Sequence, residues 1–255
     1  MNFKIYGFIT VRTNSSRLPG KCLLNFNKTN VITHLIRRAK HSKITPIICT
    51  TKNKSDNILQ KIALKEKIKI FRGSEKNKLK RWRDCCKKFR VKYFHTIDAD
   101  DPFFDPITIK KSLNLCKKGY DIVNPSKISR SGGASEGWSF SKEAIEEVYK
   151  SLFKFNKNID KFDTEMIEPF IKLKKLKTTT LKGAPYEIKN ARITLDYKED
   201  YELLKKIVDK KGSIASRKNI NQFLLNNKYL LKINIKKGKD WKKKQNSFEI
   251  PRVKI

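Results

Sequence analysis

Short apolar, β-branched runs recur through the 255-residue chain at intervals filled by amphipathic stretches, and this alternation limits the fold more than any other feature. The runs at 5–11, 47–51, 68–71, 91–97 and 120–123 are continuous rather than alternating, as strands buried on both faces are. Between them, 31–40, 56–66, 78–89 and 106–118 carry apolar residues at spacings of three and four, the pattern of helices with one buried face. Strand and helix in alternation predict a mostly parallel sheet covered on both faces, an α/β fold of three layers, α/β/α.

From about residue 125 the rhythm changes. Asn124-Pro125 and Gly132-Gly133 punctuate an irregular stretch, 142–153 reads as a helix capped by Ser141, and 163–173 reads as another. Sheet material then returns, with 178–181 and 192–195 strand-like and 199–209 and 218–226 helical. A single domain over 1–235 with an insertion at about 125–175 is expected. The stretch 227–255 holds ten Lys or Arg against two acids and few periodic apolar positions, so it is expected to be a mobile basic tail, with 236–255 lying beyond the domain.

The formal charge is +35, from 60 Lys and Arg against 25 Asp and Glu, which first suggests nucleic acid or an anionic membrane surface. Yet 48 of the cations are Lys and only 12 are Arg, and Ile (29) and Asn (19) are also abundant. All three abundant residues have A/T-rich codons, so the excess reads as a solvated coat set by composition. A reader of base edges would favour the bidentate guanidinium, so nucleic acid is not the expected partner. The 38% of apolar residues suffice for a core, but no run of about 18 uncharged apolar residues is present to span a membrane. Five cysteines (22, 49, 85, 86, 116) without CxxC spacing and three scattered histidines predict neither a disulfide framework nor structural zinc. The first residues read as a strand rather than a signal peptide, and the protein as cytoplasmic.

In open parallel sheets ligands bind beyond the carboxyl ends of the strands. The loop after the first strand, RTNSSRLPGK (12–21), places Arg12, Arg17 and Lys21 beside Ser15, Ser16 and Gly20. Backbone N–H groups, a glycine that permits close approach and cations together suit a triphosphate. It is not a Walker loop, since the spacing between glycines differs and Cys22 stands where a magnesium-binding hydroxyl would be. After the run 91–97 comes Asp98-Ala99-Asp100-Asp101-Pro102, and crowded carboxylates at a strand end suit a divalent cation unless one merely caps the next turn. A second acidic strand end, 194–200, offers Asp196, with Glu199 or Asp200 better placed to cap the next helix. Arg72 and Ser74, after 68–71, suit a base edge, a ribose or a plain turn.

These segments resemble the cytidylyltransferases that make CMP-activated sugars. RTNSSRLPGK is similar to the R-x-x-S-x-R-L-P-G-K signature of the spore-coat-polysaccharide type and of 3-deoxy-manno-octulosonate cytidylyltransferase. FRGSE (71–75), DADDPFFDP (98–106) and RITLDYKEDYELL (192–204) follow in the order of the spore-coat type. The resemblance, over roughly 5–235, implies a nucleotide-diphospho-sugar-transferase-like (Rossmann-like) fold with an inserted acceptor and dimerisation part. It implies transfer of CMP from CTP to an anionic acceptor with Mg2+, release of pyrophosphate, and a homodimer. Arg12, Ser15, Arg17, Gly20 and Lys21 would hold the triphosphate, with Arg72, Ser74 and Asp98 near the nucleotide. Asp100 and Asp196 would bind the metal, so that Arg12, Lys21 and Asp100 carry the catalysis. Glu136 and Glu165, near acidic positions of the spore-coat type, would face the acceptor. Asp98 departs from the Gln or Thr usual two residues before the metal Asp. The alternatives are a nucleotidyltransferase using another nucleoside triphosphate, and a basic nucleic-acid-binding or non-catalytic scaffold protein.

Overall fold

The computed structural model describes residues 4–130, 136–155, 162–188, 191–238 and 240. The first half alternates as the sequence pattern requires. β1 (Tyr6–Thr10) leads through a short hairpin, β2 (Asn25–Phe26) and β3 (Thr29–Asn30), to α1 (Val31–His41). Then come β4 (Thr45–Thr51), α2 (Asn57–Lys65), β5 (Lys69–Gly73), α3 (Lys78–Phe89), β6 (Tyr93–Asp98), α4 (Pro106–Lys117) and β7 (Ile122–Asn124). The second half adds α5 (Lys127–Arg130), β8 (Ser139–Ser141), α6 (Lys142–Phe155), α7 (Glu168–Ile171), β9 (Thr178–Thr180), α8 (Lys198–Lys211) and α9 (Arg217–Asn226).

The main sheet has seven strands in the order β5-β4-β1-β6-β8-β7-β9. β1 pairs in parallel with both β4 and β6. The chain therefore leaves β1 toward one edge through β4 and β5, and returns on its other side as β6. In sheets of this topology the loops on either side of such a reversal diverge and leave a crevice at the carboxyl end, here between the loops after β1 and β6. Successive residues feed opposite layers. Phe8, Ile47 and Phe94 pack with Trp82 of α3 and Ile145 of α6, while Ile9, Ile48 and Ile97 pack with Leu35 of α1, Leu113 of α4 and Leu203 of α8. Three aromatic rings stack through the first layer, Phe8 on Phe94 at 4.3 Å and Phe94 on Phe140 at 5.4 Å. Asn30, Asn77, Asp105 and Ser216 accept the capping bonds of α1, α3, α4 and α9. Ser141 accepts from Ala144 N (3.0 Å), the cap expected for α6.

Four segments differ from the pattern read in the sequence. β8 lies in the stretch read as irregular and pairs antiparallel with both β6 and β7; at three residues it is too short to show a period. Residues 192–195 are not a strand: only Leu195 N (2.7 Å) and Thr194 Oγ1 (3.2 Å) reach Asp100 O, because their neighbour is a turn that offers no ladder. Their apolar character reflects burial. Of 163–173 only α7 is helical, since Pro169 favours a helix start there and Asp163 Oδ1 caps a turn by accepting from Glu165 N. The start of the C-terminal stretch is anchored rather than loose: 228–232 forms a 3-10 turn, and Leu230 and Asn234 are buried. Gly132 and Gly133, and the tail 236–255 apart from 236–238 and 240, lie outside the described residues. Among the described residues no helix is long and apolar enough to cross a membrane.

Gly137 marks the return of the chain onto β6. Its φ is +67°, and a Cβ there would meet Thr96 O at 2.0 Å. Flanking it, Trp138 N donates to Thr96 Oγ1 (2.8 Å) and Thr96 N donates to Trp138 O (2.8 Å). Gly137→Ala is expected to destabilise the fold by about 2 kcal/mol or more. Thermal denaturation would read this as a fall of about 5 °C; an unchanged midpoint contradicts the close approach.

Candidate functional site

The first loop is fixed at both ends before its cations are placed. Thr13 N and Oγ1 donate to Asp56 Oδ1 at 2.8 and 2.9 Å. The other oxygen, Oδ2, accepts from Thr50 Oγ1 (2.8 Å), Thr51 N (3.3 Å) and Thr51 Oγ1 (2.5 Å). Burial pushes the Asp56 carboxyl up, but the bonds from Thr51, Thr13 and Thr50 outweigh it and hold the group below its ordinary value. At the far end Gly20, in the left-handed region (φ +66°), donates its N–H to Thr13 O at 3.1 Å. Ser15 Oγ accepts from Leu18 N at 3.4 Å. Ser15 and Gly20 thus shape a closed loop from which Lys21 starts a 3-10 turn, Lys21–Leu23, and reaches across the crevice.

There the loops after β1 and β6 meet the segment before α8. Lys21 Nζ donates to Leu195 O (2.8 Å) and Asp196 Oδ1 (3.0 Å) and lies 3.4 Å from Asp100 Oδ2. Arg17 Nη2 donates to the same Asp196 Oδ1 at 2.7 Å. From behind, Arg192 Nη2 donates to Asp196 Oδ2 at 2.9 Å, while its Nε and Nη2 bind Asp200. Asp200 Oδ2 accepts from Asp196 N (2.9 Å) and Tyr197 N (3.0 Å), so Asp200 is the capping residue and Asp196 faces the crevice. Asp196 is only 2% exposed; burial pushes it up, but Lys21, Arg17 and Arg192 prevail and hold it low. Asp100 is 26% exposed, and desolvation, together with Asp196 and Asp98, pushes it up to about 6 against the pull of Lys21. Lys21 itself is raised, since Asp100 and Asp196 outweigh its burial.

The remaining residues singled out by sequence fall at varied distances from this centre. Arg12 Nη2 lies 3.8 Å from Glu165 Oε2, whose Oε1 is 3.7 Å from Lys78 Nζ. Lys78 foremost, then Arg12, Arg81 and Lys21, hold the Glu165 carboxyl below its ordinary value against burial. Asp98 ends β6 in register with Thr10. Arg72 is bonded to the end of β4 and the start of α2: Nε donates to Thr51 O (3.0 Å), Nη2 to Asn53 O (2.8 Å) and Nη1 to Asn57 Oδ1 (2.8 Å). Ser74 Oγ accepts from Asn77 N at 3.2 Å. Glu136 is not brought to Glu165; its Oε2 accepts from Ser126 N (2.6 Å), and burial raises its carboxyl beside Glu187 and Arg217. Asp101 is buried behind the site, pushed up to about 8 by desolvation, with Arg217 Nη1 at 3.8 Å.

Sequence reasoning did not single out Asp56, Arg192, Lys78 or Arg81. Arg81 had one available signal, the scarcity of arginine in a lysine-rich chain; Arg192 had that and its place at the head of the RITLDYKEDYELL segment. Asp56 had none, because a carboxylate before a helix reads as a cap.

Arg17 and Lys21 beside Asp100 and Asp196, with Arg12 on the same loop, at the switch point of a seven-stranded, mostly parallel sheet, define a Rossmann-like α/β protein of the nucleotidyltransferase kind. The chain belongs to the cytidylyltransferase family, whose sequence profile matches residues 7–227. An uncharacterized protein of Methanocaldococcus jannaschii is 30% identical over 206 residues, 78% of this chain and 81% of that one. The spore coat polysaccharide biosynthesis protein SpsF of Bacillus subtilis is 29% identical over 104 residues, 38% of this chain and 43% of its own length. A cytidylyltransferase from Leptospira borgpetersenii shares the fold with a TM-score of 0.78 at 22% identity, over 90% of this chain and 97% of that one. CMP:2-keto-3-deoxy-manno-octonic acid synthetase, solved in complex with CTP, does so with a TM-score of 0.60 at 12% identity, over 82% and 99%.

The two inward carboxylates should respond oppositely to removal. Asp100 takes up its proton near pH 6 when folded against an ordinary value of 3.8, so its contribution to stability is lost as pH rises through that interval. Asp100→Asn is therefore expected to melt at or above the wild-type temperature at pH 7, the difference vanishing below about pH 4. Asp56→Ala strands buried donors and should lose about 2–4 kcal/mol. Thermal melts at pH 4 and 7 check both.

Proposed function

We propose that the chain transfers a cytidylyl group from CTP to an anionic acceptor, such as an acidic sugar, a sugar or polyol phosphate or a phosphonate, and releases pyrophosphate. The supporting observation, beyond family membership, is the ammonium of Lys21 held between Asp100 and Asp196 at the switch point. In this reading the cations of the first loop are triphosphate ligands that rest on carboxylates until the nucleotide arrives.

The residues fit a magnesium ion. Asp100 is partly open, and burial and the neighbouring Asp196 and Asp98 raise its carboxyl against the pull of Lys21. Mg2+ needs one or two carboxylates and completes its shell with phosphate oxygens and water. Asp100 and Asp196 would hold it, with Asp98 adjoining. Bound there, Mg2+ supplies positive charge that neutralises the triphosphate and the departing pyrophosphate.

Lys21 and Arg17 then leave Asp196 Oδ1 for phosphate oxygens, joined by Arg12, while the closed loop around Ser15 and Gly20, bonded within itself, holds their backbone in place. The acceptor oxygen attacks the α-phosphorus, a new O–P bond forms, and the α–β bridging P–O bond breaks with its electron pair leaving on pyrophosphate. Preorganised cations that meet this developing charge do most of the catalytic work. A phosphate or phosphonate oxygen attacks already ionised and needs no general base, whereas the hydroxyl of an acidic sugar must pass its proton to a base as its bond to phosphorus forms. In this reading Arg72 and Ser74 lie near the nucleotide, and Glu165, resting on Arg12 and Lys78, faces the acceptor with Glu136.

Pyrophosphate release from CTP, assayed across a panel of acidic sugars, sugar phosphates and phosphonates, should require Mg2+ and one member of that panel. Asp100→Asn should lose about 100-fold or more in turnover while staying folded. CTP with Mg2+ should raise the melting temperature more than UTP, ATP or GTP. A larger shift with another nucleotide would replace CTP, and sequence-selective nucleic-acid binding at physiological salt without any nucleotide shift would replace the reading itself.

A further inference from the structure

The family match ends at residue 227, yet the side chain that completes the network behind Asp196 lies beyond it. Asn234 is 1% exposed, and its Nδ2 donates to Arg192 O (2.9 Å) and Asp200 Oδ1 (2.8 Å). Both partners are pure acceptors, so the amide must turn its NH2 toward them, and both of its hydrogens are used. We infer that Asn234 is a positioning residue for Asp196, and that the segment after the family-matched region is part of the site's wall. The inference rests on the proposed role of Asp196 as a metal ligand.

Asn234 acts through two routes that converge on one carboxylate. Asp200, fixed on Oδ1 by Asn234 and by Arg192 Nε (2.9 Å), holds the Asp196 backbone by accepting its N–H on Oδ2 (2.9 Å). Arg192, fixed at its carbonyl by Asn234, grips Asp196 Oδ2 through Nη2 (2.9 Å). Together they leave Asp196 Oδ1 aimed at Arg17 and Lys21. Without the amide, a buried carbonyl and a buried carboxylate oxygen each lose a donor, and the guanidinium–carboxylate ladder is free to shift. Leu230, buried in the core four residues earlier, anchors the segment independently of this network.

Partners that orient a metal ligand act on metal affinity, commonly by 10- to 100-fold, whereas a merely structural residue lowers the melting temperature of every state alike. Wild type, Asn234→Ala and Lys237→Ala are therefore compared by thermal shift with saturating CTP, in EDTA and during titration with Mg2+. Lys237 lies on the same segment but pairs with Glu199 at 3.3 Å and sits over the Tyr197 ring, rather than on Arg192, Asp196 or Asp200. The expected result is a half-saturating Mg2+ concentration raised about tenfold in Asn234→Ala, with the shift in EDTA and the behaviour of Lys237→Ala as in wild type. An unchanged half-saturation overturns the inference even if Asn234→Ala melts earlier. Should that variant not fold, the similarly shaped Asn234→Leu, which removes the donors without adding a buried charge, is read by the same criterion. Absence of any Mg2+-dependent CTP shift in wild type would overturn the cytidylyl-transfer reading, and this inference with it.

Discussion

Asp196 is a carboxylate taken almost wholly out of water, and the site is organised around the way its charge is met. Burying an ion costs several kcal/mol unless geometry and further hydrogen bonds compensate. Here the compensation comes from three cations with different freedom. Arg192, 3% exposed and shared with Asp200, holds Oδ2 from within the fold. Arg17 and Lys21, 31% and 13% exposed, hold Oδ1 from the crevice side. One oxygen is thus part of the structure, and the other is held by groups that an incoming polyanion can draw away. Lys21 also spans to Asp100, so the loop after β1, the loop after β6 and the segment before α8 are tied at one point.

The rest of the fold serves that junction. β1 lies centrally because it pairs on both sides, and the divergence of the chain from it opens the crevice. Asp56 welds the first loop to the end of β4, and Gly137 lets the antiparallel return approach β6 closely enough to complete the sheet. Asn234 closes the back of the junction from a segment that sequence composition marks as mere basic tail.

Much of this was legible from residue patterns, and the exceptions have physical reasons. Parallel strands buried on both faces read as unbroken apolar runs, so β1, β4, β5 and β6 stand out, and with them the loops that carry Arg12, Arg17, Lys21 and Asp100. Ser141 and Asp200 are recognisable as caps because a side-chain acceptor one turn before an apolar face has few other uses. β8 escapes because three residues carry no period, and 192–195 misleads because burial beside a turn selects the same residues as a ladder. The strand-end position of Arg72 leaves base edge, ribose and plain turn open, and its resting bonds to Thr51, Asn53 and Asn57 are set by three-dimensional neighbours that no residue pattern encodes. Asn234 carries no signal at all, since its partners lie 34 and 42 residues away in sequence.

The charge of the chain takes its meaning from the same place. Most of the 48 lysines coat the surface, but three loop cations meet carboxylates at the crevice, and the account depends on their exchanging those partners for phosphate. A crystal structure of the chain with CTP and Mg2+ tests this most directly. The account predicts the triphosphate between the first loop and Asp100, with Lys21 Nζ and Arg17 bonded to phosphate oxygens and no longer to Asp196 Oδ1. A nucleotide seated elsewhere, or one bound in the crevice with Lys21 and Arg17 still on Asp196, would contradict it.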